Sequence, residues 1–264
     1  IDAELSVTAD GVKFRKMQIG KSSAAVHLKD GHLTLDIREV ALYRGEGKGT
    51  VTLDATGATP SVTIAGTASG LDLGPLLRDA GGGGSISGSA SFTVAVTARG
   101  DSERALVSAV NGKSSFRVSN GSLQGVDLGG MLKNTSSSFS GAGGVTSLQR
   151  ASGSYTIRNG VMTTRDLAVS TSSVDATGAG TITLPSRTLN FRIEPKLIAG
   201  LVTVPVIVSG SWEHLSYQPD LAGIAKGLVQ TPGKVIGGAA SGVGKVGQGV
   251  GGGIGSTLNS LFGK

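Results

Sequence analysis

The chain has no cysteine, and its 264 residues include only three histidines, one tryptophan, three tyrosines and six phenylalanines. Without cysteine there is no disulfide scaffold, no thiolate zinc site and no cysteine nucleophile. Three histidines leave little material for a metal centre or a general base. Charged residues make up 16% of the chain, well below the usual quarter or so. No run approaches the ~18 consecutive apolar residues of a membrane-crossing helix. The chain starts at Ile1 without a methionine or a signal peptide, and reads as a piece of something longer.

Glycine is abundant: 44 residues, about one in six. With Ser and Thr in excess and Val and Leu as the main apolar types, this composition speaks against a helical bundle. It favours short strands joined by tight turns. Hydrophobic residues at 38% are too many for a wholly disordered chain.

The net charge of +6 is unevenly placed. Lys226, Lys234, Lys245 and Lys264 lie in the last 44 residues with no acid among them, so the basic character describes the tail more than the body. A basic patch suits an anionic membrane or a nucleic acid. Nucleic-acid grooves interleave arginine with aromatics, whereas this tail has no arginine and one aromatic, Phe262. No nucleic-acid partner is expected.

Period-two alternation dominates the body. Leu33, Leu35 and Ile37 share one face, and Val51 with Leu53, then Val62 with Ile64, follow. Phe92, Val94 and Val96 alternate with Thr93, Ala95 and Thr97; Phe116 and Val118 continue the series. Ile182 and Leu184, then Leu189 and Phe191, and Val202, Val204, Val206 and Val208 close it. Asp30-Gly31, Asn120-Gly121 and Asn159-Gly160 read as turns. The prediction is an all-β body with few helices. One helix is expected at 102–111, capped by Asp101 and stopped by Gly112. A short repeat, Gly70-Leu71-Asp72-Leu73-Gly74 and Gly125-Val126-Asp127-Leu128-Gly129, reads as a strand running into a one- or two-turn helix. Residues 134–147 read as a loop. The chain divides into a body, 1–220, and a basic glycine-rich tail, 221–264, whose Val235, Ala239, Val243, Val246, Val250 and Ile254 fall at helical spacing.

Catalytic motifs fail on inspection. Gly20-Lys21-Ser22 and Gly112-Lys113-Ser114 end like phosphate-binding loops, but the first glycine of each would fall on Arg15 or Val107. Gly45-x-Gly47-x-Gly49 lacks dinucleotide spacing and reads as a turn. His27 and His32 flank Asp30 at no standard ligand spacing. No catalytic site, metal or cofactor is expected. Strands with one apolar face need a cover for it. A second sheet, as in a sandwich, or bound lipid are both compatible with the alternation.

The serial order of small motifs resembles the C-terminal region of the AsmA family of bacterial envelope proteins. It runs through Leu42-Tyr43-Arg44-Gly45, Leu71-Asp72-Leu73, Leu76-Leu77-Arg78-Asp79, Ile86-Ser87-Gly88, Gly100-Asp101-Ser102, Asn120-Gly121-Ser122-Leu123, Asp166-Leu167, Val204-Pro205-Val206 and Gly210-Ser211-Trp212. Leu215 departs from the pattern, where a proline is expected after Trp212. The resemblance implies a curled antiparallel sheet forming an open hydrophobic groove. It also implies a periplasmic protein anchored in the inner membrane, which carries phospholipid toward the outer membrane without catalysis. On that reading Leu33, Leu35, Ile37, Val51, Leu53, Val62, Ile64, Phe92, Val94, Val96, Phe116, Val118, Ile182, Leu184, Leu189, Phe191 and Val204 form the groove wall. Lys226, Lys234 and Lys245 would sit near the membrane. The alternative is a periplasmic scaffold that recruits envelope protein partners through its sheet edges.

Overall fold

The computed structural model describes residues 2–14, 17–79, 86–124, 144–172, 174–196, 205–211 and 214–220. They form one 14-stranded antiparallel sheet in which the strands follow one another in chain order. The first six are β1 (Ala3–Ala9), β2 (Val12–Phe14), β3 (Met17–Lys29), β4 (His32–Leu42), β5 (Gly45–Asp54) and β6 (Ser61–Asp72). Helix α1 (Leu73–Asp79) precedes β7 (Ile86–Arg99), and α2 (Glu103–Ser108) precedes β8 (Asn111–Gln124). The sheet continues through β9 (Val145–Arg158), β10 (Val161–Thr171), β11 (Asp175–Thr183), β12 (Thr188–Lys196), β13 (Val206–Ser211) and β14 (His214–Pro219). β1 and β2 both pair with β3. β1 and β14 stand at opposite ends of the strand order, so the sheet is not closed into a barrel.

Sequence turn chemistry accounts for two of the reversals. Asp30 and Gly31 join β3 to β4 with φ of 47° and 80°, and Asn159 and Gly160 join β9 to β10 with 47° and 72°. These left-handed pairs match the twist of the flanking strands. The β4–β5 reversal uses Tyr43 and Arg44 instead, at φ 47° and 67°, positions where a side chain costs energy. Tyr43 is held there from two sides. Its carbonyl accepts from Asp72 N–H at 2.7 Å, and its hydroxyl donates to Asp79 Oδ2 at 2.8 Å. The turn thereby ties β4 to both ends of α1.

Several expectations need correction. Asn120-Gly121 does not reverse the chain; it lies inside β8, at a register irregularity against β7. Gly45, Gly47 and Gly49 are not a turn but alternate positions of β5, extended because each has a ladder partner on β4 and β6 or packs against their backbone. The helix expected at 102–111 is only Glu103–Ser108. Its cap is Ser102, whose Oγ accepts from Ala105 N–H, rather than Asp101. It stops at Ala109, and Gly112 belongs to β8 with φ 145°. Val145 to Ser147 open β9 rather than ending a loop. Leu184 lies in the β11–β12 turn, where its N–H donates to Gly160 O at 2.9 Å. The first copy of the repeat does run from strand into helix, with Asp72 Oδ1 accepting from Gly74 N–H at 3.3 Å. The second copy, Val202, Val204 and the 221–264 tail lie outside the described residues.

The main core is small. Leu71, Leu73, Ala90, Val118, Leu148 and Ala151 are buried together, with Leu76 and Leu77 of α1 and Leu42, Phe92 and Val169 packed against them. In this region α1 rests on β6 and β7.

Glycines inside the strands share a location. Gly45, Gly47, Gly49, Gly66, Gly112, Gly153, Gly178 and Gly180 all fall on the face that carries the aliphatic side chains. A Cβ on Gly66 would sit 2.8 Å from Lys48 O, and one on Gly180 would sit 2.7 Å from Phe191 Cα. Bare backbone on that face lets neighbouring strands and side chains approach closely. Gly180→Val is therefore expected to destabilise the fold by about 1–3 kcal/mol through overpacking, measured by urea unfolding of the purified chain.

Candidate functional site

Directly paired residues in an antiparallel sheet point to the same side, so the register maps each face. One row crosses every strand of the main path. It runs Leu5, Val26, Leu35, Val51, Ile64, Val96, Gly112, Ile157, Met162, Ile182, Leu189, Gly210 and Leu215. It contains no polar side chain. A parallel row on one side reads Val7, Ala24, Ile37, Gly49, Gly66, Val94, Ser114 and Tyr155. The opposite face is polar. Ser6, Ala25, Asp36, Thr50, Ala65, Ala95, Lys113, Thr156, Thr163, Thr181, Asn190, Ser209 and Ser216 cross it in register.

Bulges keep the faces sorted. In β4 the register slips between Ile37 and Val40, and in β6 between Ala68 and Leu71. Each slip inverts the sequence parity. The apolar residues invert with it, so Val40, Leu42 and Leu71 return to the face of Leu35 and Ile64.

The apolar face is unevenly covered. Over the first strands it stays open: Leu5 is 57% exposed, Val7 49% and Ile64 39%. A shallow depression of about 520 Å³ around Gly49 and Gly66 is bordered by residues of both faces, Ile37 and Val94 from this one and Asp36, Lys48 and Thr67 from the other. Toward β9 the chain fills its own surface. Ile157 is 5% exposed, and the Phe116 and Tyr155 rings stack with centroids 6.1 Å apart. Glycine makes room for these rings: Phe116 lies over Gly153 and Phe191 over Gly180.

Of the residues predicted to wall a groove, Leu33, Leu35, Ile37, Val51, Leu53, Val62, Ile64, Phe92, Val94, Val96, Phe116, Val118, Ile182, Leu189 and Phe191 fall on this one face. Val118 and Phe191 are buried there, as core rather than open wall. Leu184 leaves the face at its turn. Val204, Lys226, Lys234 and Lys245 lie outside the described residues. Simple alternation missed Leu5, Val26, Val40, Leu42, Ile157, Met162 and Leu167, which share the face. Their strands carry Ser, Thr or Gly on the same side or are broken by bulges; only the register joins them.

Charged groups serve the frame. His27 faces Glu4 at 3.7 Å and His32 faces Asp54 at 3.5 Å, two separate pairs at the sheet's polar side. No cluster of three or more His, Asp or Glu able to hold a metal occurs among the described residues. Arg192 Nε donates to Asp220 Oδ2 at 2.7 Å and its Nη1 to Glu194, tying the chain beyond β14 back to β12. The contact with Asp220 is the main reason its guanidinium pKa is raised. Burial raises the phenols of Tyr155 and Tyr217.

Asp166 sits at the β9–β10 irregularity, where the ladder is interrupted between Thr163 and Ala168. Its carboxylate accepts from Ser154 Oγ at 2.6 Å, Ser154 N–H at 2.9 Å and Thr164 Oγ1 at 2.9 Å. The Ser154 bonds, first the hydroxyl and then the amide, hold its pKa below the usual carboxylate value. In effect the side chain stands in for missing ladder bonds.

The family model described as "AsmA family" matches residues 1–167, and the chain belongs to that family. Neither a curated protein nor a solved structure matches it. Membership is consistent with an envelope-related role.

The depressed carboxyl of Asp166 sets a pH dependence. Its contribution to stability is fully present above the unfolded value, about 3.9, and is lost as pH falls through the lower folded value. Thermal melts of the wild type between about pH 2 and 6 should therefore show an acid-side decline. Asp166→Asn should be less stable near neutrality and show a shallower one.

Proposed function

We propose that this chain is a non-enzymatic phospholipid-binding and transfer module of the bacterial envelope, with acyl chains lying along the apolar face. The observation that carries this reading is the unbroken uncharged row from Leu5 to Leu215, left open over the first strands. Thirteen strands at about 4.8 Å spacing extend such a row to roughly 58 Å, about twice the hydrocarbon thickness of a bilayer. Acyl chains need only a dry wall. Each methylene buried is favourable by about 0.8 kcal/mol, so one ~15-methylene tail gains about 12 kcal/mol gross. The half-exposed aliphatics of β1–β7 are where tails would rest, and the self-filled stretch near β9 gives them less room.

Membership of the AsmA family supports the same reading. In it the module works in the periplasm, held to the inner membrane by a segment outside this sequence, and phospholipid passes along it toward the outer membrane. The tail lysines Lys226, Lys234 and Lys245 would meet anionic headgroups.

Photo-crosslinking to phospholipid tests the reading. A photoreactive residue at Leu35 or Ile64 should label phospholipid, whereas one at Thr34 or Thr63 on the polar face should not. Introducing Val94→Asp should cut labelling from Ile64 at least tenfold while circular dichroism still reports the sheet. Equal labelling from both faces, or labelling that survives Val94→Asp and Ile37→Asp together, overturns it and leaves the scaffold reading with its exposed edge strand β1.

A further inference from the structure

Tyr155 is out of place on the apolar face. By register it lies beside Ser114, on the row that also holds Val94. Its residue surface is nine-tenths buried, and its ring is fixed by the stack with Phe116. Yet its hydroxyl has no hydrogen-bond partner among the described residues. No side-chain oxygen or nitrogen there is both sealed from solvent and unpaired, so this phenol oxygen reaches an opening. Thr164, the nearby buried hydroxyl on β10, is already engaged with Asp166. At that opening the phenol can donate to water or to a ligand that displaces it. A ring that needed only to fill space would be as well served by phenylalanine.

The position fits an acyl lipid. Tyr155 stands where the open half of the face gives way to the self-filled half. Val94, on the open side, is two strands away, roughly 10 Å. A chain laid over Val94 brings its ester end within reach of the phenol, and an ester carbonyl accepts one hydrogen bond without adding a second negative charge near the Asp166 carboxylate, which already acts on this phenol.

We propose that the Tyr155 hydroxyl is a polar anchor on the apolar face that donates a hydrogen bond to the ester carbonyl of a bound diacyl phospholipid. This rests on the lipid-binding reading. It adds a fixed point to that reading: tails are held by area alone, whereas the ester is held at one place, with the headgroup directed away from the apolar face.

The test is a double comparison on the full chain. Displacement of a fluorescent acyl probe is measured with diacyl phosphatidylglycerol and with its dialkyl-ether analogue, which keeps headgroup and chains and lacks the carbonyls. The wild type should prefer the ester about fivefold, the equivalent of one ordinary hydrogen bond. Tyr155→Phe, which keeps the ring stack, should bind the ether lipid as the wild type does and show no preference. A wild type without ester preference overturns the anchor, and this arm needs no variant to fold. An ester preference that survives in Tyr155→Phe also overturns it, and assigns the phenol to water. If neither lipid displaces the probe from the wild type, the lipid-binding reading itself fails.

Discussion

The backbone ladder between consecutive strands is the constraint on which the molecule depends. Strand pairings follow the chain order, save that β1 and β2 both pair with β3, and the helices contact β6 and β7. The buried cluster around Leu71, Ala90, Val118 and Ala151 is small and confined to one part of the sheet. Among the described residues the strands form one layer, and such a sheet is quasi-one-dimensional, its stability approximating a sum of nearest-neighbour terms. Register then decides far more than it does in a sandwich, because a slip of one residue would exchange the two faces along the whole strand. The bulges at Ile37/Val40 and Ala68/Leu71 show the sequence following the ladder. Where pairing inverts the parity, the apolar residues invert with it.

Small and large residues divide the labour on the apolar face. Glycines at Gly49 and Gly66 place no side chain between Ile37 and Val94, and no aromatic ring overlies them. Glycines at Gly153 and Gly180 are overlaid by Phe116 and Phe191, and there the face closes. The same residue type thus gives an open surface or a packed one, depending on whether an aromatic ring stands next to it. For acyl chains, that difference separates a continuous resting surface from a stretch with little room.

Electrostatics acts at the margins of this design. Tyr43 with Asp79, Ser154 with Asp166 and Arg192 with Asp220 each fasten a place where regular pairing gives out: a strained turn, a bulge and the last strand. Tyr43-Arg44-Gly45 and Asp166-Leu167 are among the motifs by which the sequence resembles its family. Their role in this sheet is mechanical: each bond stands where regular ladder pairing is missing.

Alternation, turn dipeptides and the excess of Gly, Ser and Thr sufficed to indicate an all-β body and to put Leu35, Val51, Ile64, Val94 and Leu189 on one face, because period two is a local property. Strands such as β9 and β10 were not legible that way, since Ser, Thr and Gly occupy part of their apolar side and irregular pairing breaks the period. The Tyr43-Arg44 reversal was hidden as well; neither residue favours a left-handed turn, and only the contacts with Asp72 and Asp79 stabilise it. The amino-acid sequence by itself determined which residues are apolar and how they alternate. Tertiary pairing decided that these short runs join into one row, and where that row is open or filled. Exposure is a property of neighbours brought together across strands, and a linear order of residues does not specify it.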